Sequence, residues 1–244
     1  MDKDGLHHIP DLKVQKRKLA RGWAGANLSL QLSKWGYKDL FAGAIIDEDT
    51  GRKLEYRDLI KRPDLRKRWT KSLANELGRL AQGVRDIKGT NTIFFIPKSE
   101  IPFIRRKDVT NGRIVVAYKP NKLETDRSRL TVGGDRIICL FDTSAPTVDL
   151  PTIKMLWNSV LSTPGEKYFM MDISNFYLGT SMKRTAFMRL PIKVVPQKII
   201  DKYELQNIVN DGWVYVRTQK GMYGLPQAGK IANDILVKLM RDDG

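Results

Sequence analysis

Between residues 63 and 82 the apolar positions Leu65, Trp69, Leu73, Leu77 and Leu80 recur at intervals of three and four, while Arg66, Lys67, Arg68 and Lys71 fall between them. That period predicts an amphipathic helix. Pro63 suits its first turn and Gly83 its end. The runs that follow are β-like. Thr92-Ile93-Phe94-Phe95-Ile96 closes at Pro97, and Arg113-Ile114-Val115-Val116-Ala117-Tyr118 follows an Asn111-Gly112 turn signal. A further β-rich run, Asp126-Arg127-Ser128-Arg129-Leu130-Thr131-Val132, leads into Gly133-Gly134. A second helix is predicted from Asp149, with Ile153, Leu156, Trp157, Val160 and Leu161 on one face and Pro164-Gly165 at its end. Tyr168-Phe169-Met170-Met171-Asp172-Ile173 then reads as a strand, as does Trp213-Val214-Tyr215-Val216-Arg217. Short helices are predicted over residues 197–209 and from Gly229 onward, the latter with Ile231, Ile235, Leu236 and Leu239 on one face. The segment before residue 61 is polar and irregular and contains the charge run 13–21, so residues 1–60 read as a solvated arm and 61–244 as the folded part. The pattern is mixed α+β.

Charge changes the picture more than length does. With 43 Lys+Arg against 27 Asp+Glu, the 244-residue chain has a formal net charge of +16. A protein this basic meets polyanions, nucleic acid foremost, unless its cations form a purely solvated surface. The basic residues gather at Arg105-Arg106-Lys107 and at Arg127 and Arg129, inside the β-rich stretch. Cysteine chemistry is confined to Cys139 within Ile137-Ile138-Cys139-Leu140, which excludes a disulfide framework. The two histidines, His7 and His8, lie in the polar arm, away from any His-based site in the folded part. No apolar run reaches the roughly 20 residues of a membrane span, and the first residues lack a secretory signal. The expected location is intracellular.

Three features carry candidate chemistry. Asp172 ends an apolar strand, where a carboxylate is costly to bury unless something compensates it. A divalent cation would do so, and a cap or turn at the strand end would too. Tyr177 lies five residues on, in Asn175-Phe176-Tyr177-Leu178, where core packing is the plain alternative. Leu225-Pro226-Gln227 stands between Gly224 and Gly229. There glycine permits close backbone approach and Gln227 can both donate and accept, although an ordinary turn would use the same residues.

In order along the chain, Ser128-Arg129-Leu130-Thr131-Val132, the Asp172-x4-Tyr177 spacing, Ala186-Phe187-Met188-Arg189-Leu190-Pro191 and Lys220-Gly221-Met222-Tyr223-Gly224-Leu225-Pro226-Gln227-Ala228-Gly229 resemble blocks of the reverse transcriptases of LTR retrotransposons, the copia-like branch in particular. The helix with Trp69 and Glu76 resembles the one that opens that domain. The resemblance runs from about residue 60 to the C-terminus. It implies a right-hand polymerase, with fingers and part of a palm built as a mixed sheet with packed helices. Its activity is RNA-directed DNA synthesis, its partners an RNA template, an RNA–DNA hybrid and dNTP. Two Mg²⁺ ions would activate the primer hydroxyl and stabilise the leaving pyrophosphate. Asp172 would be the first metal-binding aspartate, with the Ile173 carbonyl beside it. Tyr177 would lie under the nucleotide sugar and exclude a 2′-hydroxyl. Gln227 would touch the nucleotide, and Arg127 or Arg129 would hold its triphosphate. Arg105, Arg106, Lys107, Gly224 and Pro226 are candidate nucleic-acid contacts.

The family also needs an x-x-Asp-Asp hairpin well downstream of Gln227. Arg241-Asp242-Asp243-Gly244 follows Gln227 after a stretch that reads as a helix, so it does not match. One carboxylate does not hold two Mg²⁺ ions. The expectation is a truncated or degenerate copy, inactive by itself. The alternative is a remnant that binds nucleic acid without synthesis.

Overall fold

The computed structural model describes residues 45–47, 49–120, 122–134, 137, 143–145, 147–168, 173 and 175–242. Asp172 and the strand expected to carry it, Cys139, the two histidines and the charge run 13–21 lie outside the described residues.

The chain divides into two compact units, Met1–Ser72 with Ile114–Arg129, and Leu73–Arg113 with Leu130–Gly244. In the first, helix α1 (Tyr56–Leu59) opens with a reciprocal cap in which Glu55 and Asp58 satisfy each other's backbone. Helix α2 (Pro63–Leu80) starts here, as its periodicity predicts. Leu54, Tyr56 and Leu59 are buried, so residues 54–59, read from their polarity as part of the arm, contribute to the packing of this unit. Strand β3 (Asp126–Val132) is fastened to α2 by Arg68, which forks onto both Asp126 oxygens at 2.8 Å, and by Ser72, whose hydroxyl donates to the Asp126 carbonyl and accepts from the Ser128 amide.

In the second unit, α2 ends against its own return. The amides of Thr90, Asn91 and Thr92 donate to the carbonyls of Arg79, Ala81 and Leu80, satisfying helix-end acceptors that would otherwise be orphaned. Gly83 turns the chain at φ +101°. The Tyr203 hydroxyl accepts from the Gln82 amide and donates to the Gly83 carbonyl at 2.7 Å. β1 (Ile93–Ile96), β4 (Ser181–Pro191) and β5 (Trp213–Lys220) lie wholly in this unit, whereas β2 (Thr110–Tyr118) and β3 run through both units; the sheet order is β1-β5-β4-β2-β3. β5 runs antiparallel to β1 and β4, while β2 pairs parallel to β4. The sheet is therefore mixed. Asn111 and Gly112, expected to form a turn, lie inside β2. A Cβ on Gly112 would come within 2.6 Å of Leu190, so the glycine serves close packing instead.

Register sorts the strands into two faces. Ile93, Thr218 and Ala186 share one face with Val216, Met188 and Thr110, all buried, and Phe95 on that face stacks against Tyr203 at 5.0 Å. The other face pairs Phe94 with Arg217 and Phe187, then Ile96 with Tyr215, Arg189 and Asn111. Here Ile96, Ile101, Phe187 and Tyr215 form a small core, and cations lie over its rings: Arg217 over Phe94 at 5.5 Å, Arg105 over Phe187 at 5.2 Å and Arg189 over Trp213 at 4.3 Å.

Three helices flank the strands in sequence. In α3 (Leu150–Ser162) Asp149 caps the Thr152 amide at 2.8 Å, but Leu156, Trp157 and Leu161 of its expected inner face are exposed; Trp157 meets Tyr168 edge-on at 6.2 Å. The helix expected over 197–209 is α4 (Gln197–Lys202) followed by a separate 3₁₀ turn, Leu205–Asn207, because Glu204 adopts φ +51° between them. Helix α5 (Ala228–Asp242) includes Asp242, which agrees with reading this segment as helix rather than as a carboxylate hairpin. No helix among the described residues is long and apolar enough to cross a membrane.

Burial pushes the Tyr56 phenol up to about 12, against a weaker opposing hydrogen bond from Thr70. Burial also raises the Tyr203 phenol. A raised phenol favours the folded state below its unfolded value of 10.0, and that contribution is lost as pH rises toward 12. Alkaline urea titrations should show stability falling above pH 10, with a shallower fall in Tyr56→Phe. At pH 7, Tyr203→Phe should lose about 1 kcal/mol through its two broken hydrogen bonds. A Tyr203→Phe variant as stable as the parent would place that hydroxyl outside the structural network.

Candidate nucleotide site

Strand β5 ends at Lys220, whose ammonium donates to the Thr90 carbonyl at 2.5 Å, and the chain then turns through Gly221-Met222-Tyr223-Gly224-Leu225-Pro226-Gln227 into α5. Met222 and Leu225 are buried and hold the loop from within, and the turn is closed by Leu225 N–H to Met222 and Ala228 N–H to Leu225. Glycines bring this loop against two other segments. A Cβ on Gly221 would lie 2.7 Å from the Tyr177 carbonyl, and the Gly221 amide donates to Thr180 at 2.7 Å. Gly224 adopts φ +90°, and a Cβ there would fall 2.0 Å from the Val132 carbonyl. Gly134 would meet the Gly224 carbonyl at 2.4 Å. The Val132 amide completes the contact by donating to the Tyr223 carbonyl at 2.8 Å. The end of β3, the Tyr177 turn and the loop are thus one assembly of closely apposed backbones.

Tyr177 begins a 3₁₀ turn, Tyr177–Gly179, anchored by buried Leu178 and by Thr180, which returns its amide to Tyr177 and its hydroxyl to Phe176. Its ring is half-buried, tilted on Phe176 at 5.7 Å and edge-on to Tyr223 at 5.5 Å and 89°. Tyr177 thus packs against two rings while remaining partly open to solvent. Pro226 is half-buried and Gly224 exposed, whereas Gln227 is only 5% exposed and its carbonyl accepts from Ile231 in the first turn of α5. Tyr223, Val132 and Gly134 belong to the assembly without having been singled out in the sequence. The Gly133-Gly134 pair directly after a β-rich run was the available signal.

Other candidates are placed elsewhere or differently. Arg127 and Arg129 share one face of β3, alternating with buried Ser128 and Leu130, and they belong to the first unit, whereas Tyr177 and Gln227 belong to the second. The Arg127 Nε is buried without a hydrogen-bond partner. Arg105 is engaged inside the protein: it bridges Asp108 at 2.8 Å, donates to the Thr185 carbonyl at 2.9 Å and stacks on Phe187. Arg106 and Lys107 are exposed. Ile173 is exposed. Among the described residues no three His, Cys, Asp or Glu side chains gather to hold a metal ion.

No family model matches the chain, and neither a curated protein nor a solved structure matches it.

The glycine contacts yield a paired prediction. Gly224→Ala imposes a strained backbone and a clash with Val132, and should cost roughly 1–3 kcal/mol from backbone strain alone. Gly229, in α5, has open space around its would-be Cβ, so Gly229→Ala should be neutral or stabilising by up to about 1 kcal/mol. Urea unfolding of the two variants checks the contrast; equal effects would remove the close approach of loop and strand.

Proposed function

We propose that this chain is the nucleotide-sorting and nucleic-acid-gripping part of an RNA-directed DNA polymerase of the retrotransposon type. The observation that carries the reading is the assembly of Tyr177, the Met222–Gln227 stretch and the end of β3. These are three of the blocks on which the resemblance rests, and they lie far apart in sequence. In this reading the partners are an RNA template, an RNA–DNA hybrid and a dNTP. Tyr177 offers a partly open ring, held by Phe176 and Tyr223, against which a deoxyribose fits and a ribose 2′-hydroxyl does not. Gln227 is mostly buried, so little of its side chain is left to touch a nucleotide. Asp172 with the Ile173 carbonyl would belong to a Mg²⁺ site that other carboxylates must complete.

A second reading, a module that grips nucleic acid without sorting nucleotides, is favoured by the net charge of +16. The two separate in one experiment on the full chain with a labelled RNA–DNA hybrid bearing a recessed 3′ end. Affinity should fall steeply with salt, because each phosphate contact releases counterions. Binding that is absent at low salt or flat with salt would sink both readings. In magnesium buffer the complementary dNTP should tighten the complex more than the matching rNTP, and Tyr177→Ala should narrow that difference by about tenfold, the equivalent of 1.4 kcal/mol. A complex indifferent to either nucleotide leaves the gripping module alone. An unchanged difference in Tyr177→Ala, with lower thermal stability, makes Tyr177 a packing residue.

A further inference from the structure

The 3₁₀ segment Phe103–Asp108 presents its apolar residues outward. Phe103 is 85% exposed and Ile104 73%, and Pro102 before them is exposed as well. Exposed apolar side chains usually belong to loosely held segments, but this one is firmly anchored. Arg105 is tied to Asp108, to the Thr185 carbonyl and to the Phe187 ring, and Arg184 reaches the same Asp108 oxygen at 3.1 Å. Asp108, the carboxylate of this segment, is thereby taken up by two arginines. Arg106 holds its guanidinium 5.5 Å from the Phe103 ring centroid, and Lys107, the next residue in the segment, is exposed. An aromatic ring is thus held in solvent on an anchored segment, beside exposed cations, while the segment's own carboxylate is already paired.

We propose that Phe103 is a stacking platform for an unpaired base of single-stranded nucleic acid, with Arg106 and Lys107 on the adjoining phosphates. The proposal deepens the reading above and rests on its nucleic-acid half. Three physical points select this occupant. The surrounding charge is cationic, which suits a polyanion. A lone ring with open surface gains from a flat π-face, and base–aromatic stacking is largely indifferent to base identity. Bases in a duplex already stack on each other, so a single projecting ring has an unpaired base as its partner. Arg106 strengthens the site in both roles, through its charge and through its own stacking on Phe103.

The test compares two single strands of about 12 nucleotides, within the site sizes common for such proteins: oligothymidylate, and an abasic strand of equal length with the same phosphates and no bases. Phe103→Ala should bind oligothymidylate about tenfold more weakly and the abasic strand as the parent does. Arg106→Gln should weaken both. Phe103→Trp should bind oligothymidylate as the parent does, with its added indole emission quenched by oligothymidylate and not by the abasic strand. Phe103→Ala that binds oligothymidylate like the parent overturns the platform, as does equal weakening on both strands or a lowered melting temperature. Self-association that disappears in Phe103→Ala while strand binding is unchanged would reassign the ring to contact between copies of the chain. A parent protein that binds neither strand removes this inference together with the nucleic-acid half of the proposed function.

Discussion

The second unit depends on backbones that approach more closely than side chains allow. Between β3 and the loop before α5, the Val132 carbonyl occupies space that any residue but glycine at 224 would fill. Gly134 and Gly221 repeat the device toward the same loop and toward the Tyr177 turn. These approaches let the Val132 amide find the Tyr223 carbonyl and the Gly221 amide find Thr180, so that polar groups brought together at short range are satisfied rather than stranded. The Tyr177–Tyr223 edge contact follows from that arrangement.

The two faces of the sheet divide the work of burial unequally. One is buried throughout, with Ile93, Val214, Val216 and Met188 fully enclosed beside the buried hydroxyls of Thr110 and Thr218. The other is built from rings whose outer sides are covered by guanidinium groups, at Phe94, Phe187 and Trp213. Arginine serves there because its flat, weakly hydrated head can lie on a ring while its edge hydrogen-bonds, as Arg189 does with Asn111 and Arg105 with Thr185. Part of the basic excess is thus structural. A charge count overstates how many cations are available to a polyanion, and within the Arg105-Arg106-Lys107 run the first residue faces the protein while the next two face solvent.

The exposed apolar positions fall into two kinds. Leu156, Trp157 and Leu161 of α3 lie at helical spacing and together make a stripe. Phe103 and Ile104 lie on a short turn pinned by ion pairs. A stripe on a helix suits another apolar surface, whereas a pinned ring among cations suits a flat anionic ligand.

Much of the element list was legible in the residue pattern. The three-and-four spacing of Leu65 to Leu80 specified α2, the short β-branched and aromatic runs 93–96 and 213–217 specified β1 and β5, and Asp149 marked the start of α3. Local periodicity and capping suffice there because the forces involved act within a few residues. The pattern went astray where a distant partner decides. Asn111-Gly112 looks like a turn but is strand, because Leu190 and Leu130 close over the glycine. The helix expected through residue 209 breaks at Glu204, in a left-handed conformation no period reveals. The motifs around Tyr177 and Gln227 could be found in the sequence, but not that Gln227 would be buried, that Tyr223 would brace Tyr177, or that Val132 would join them. Those outcomes are set by contacts between segments tens of residues apart, whose energies exist only once the chain has closed on itself. The sequence by itself determined the elements, the charge and the candidate residues; tertiary structure decided which of those residues meet, because burial and close backbone approach are properties of pairs rather than of positions.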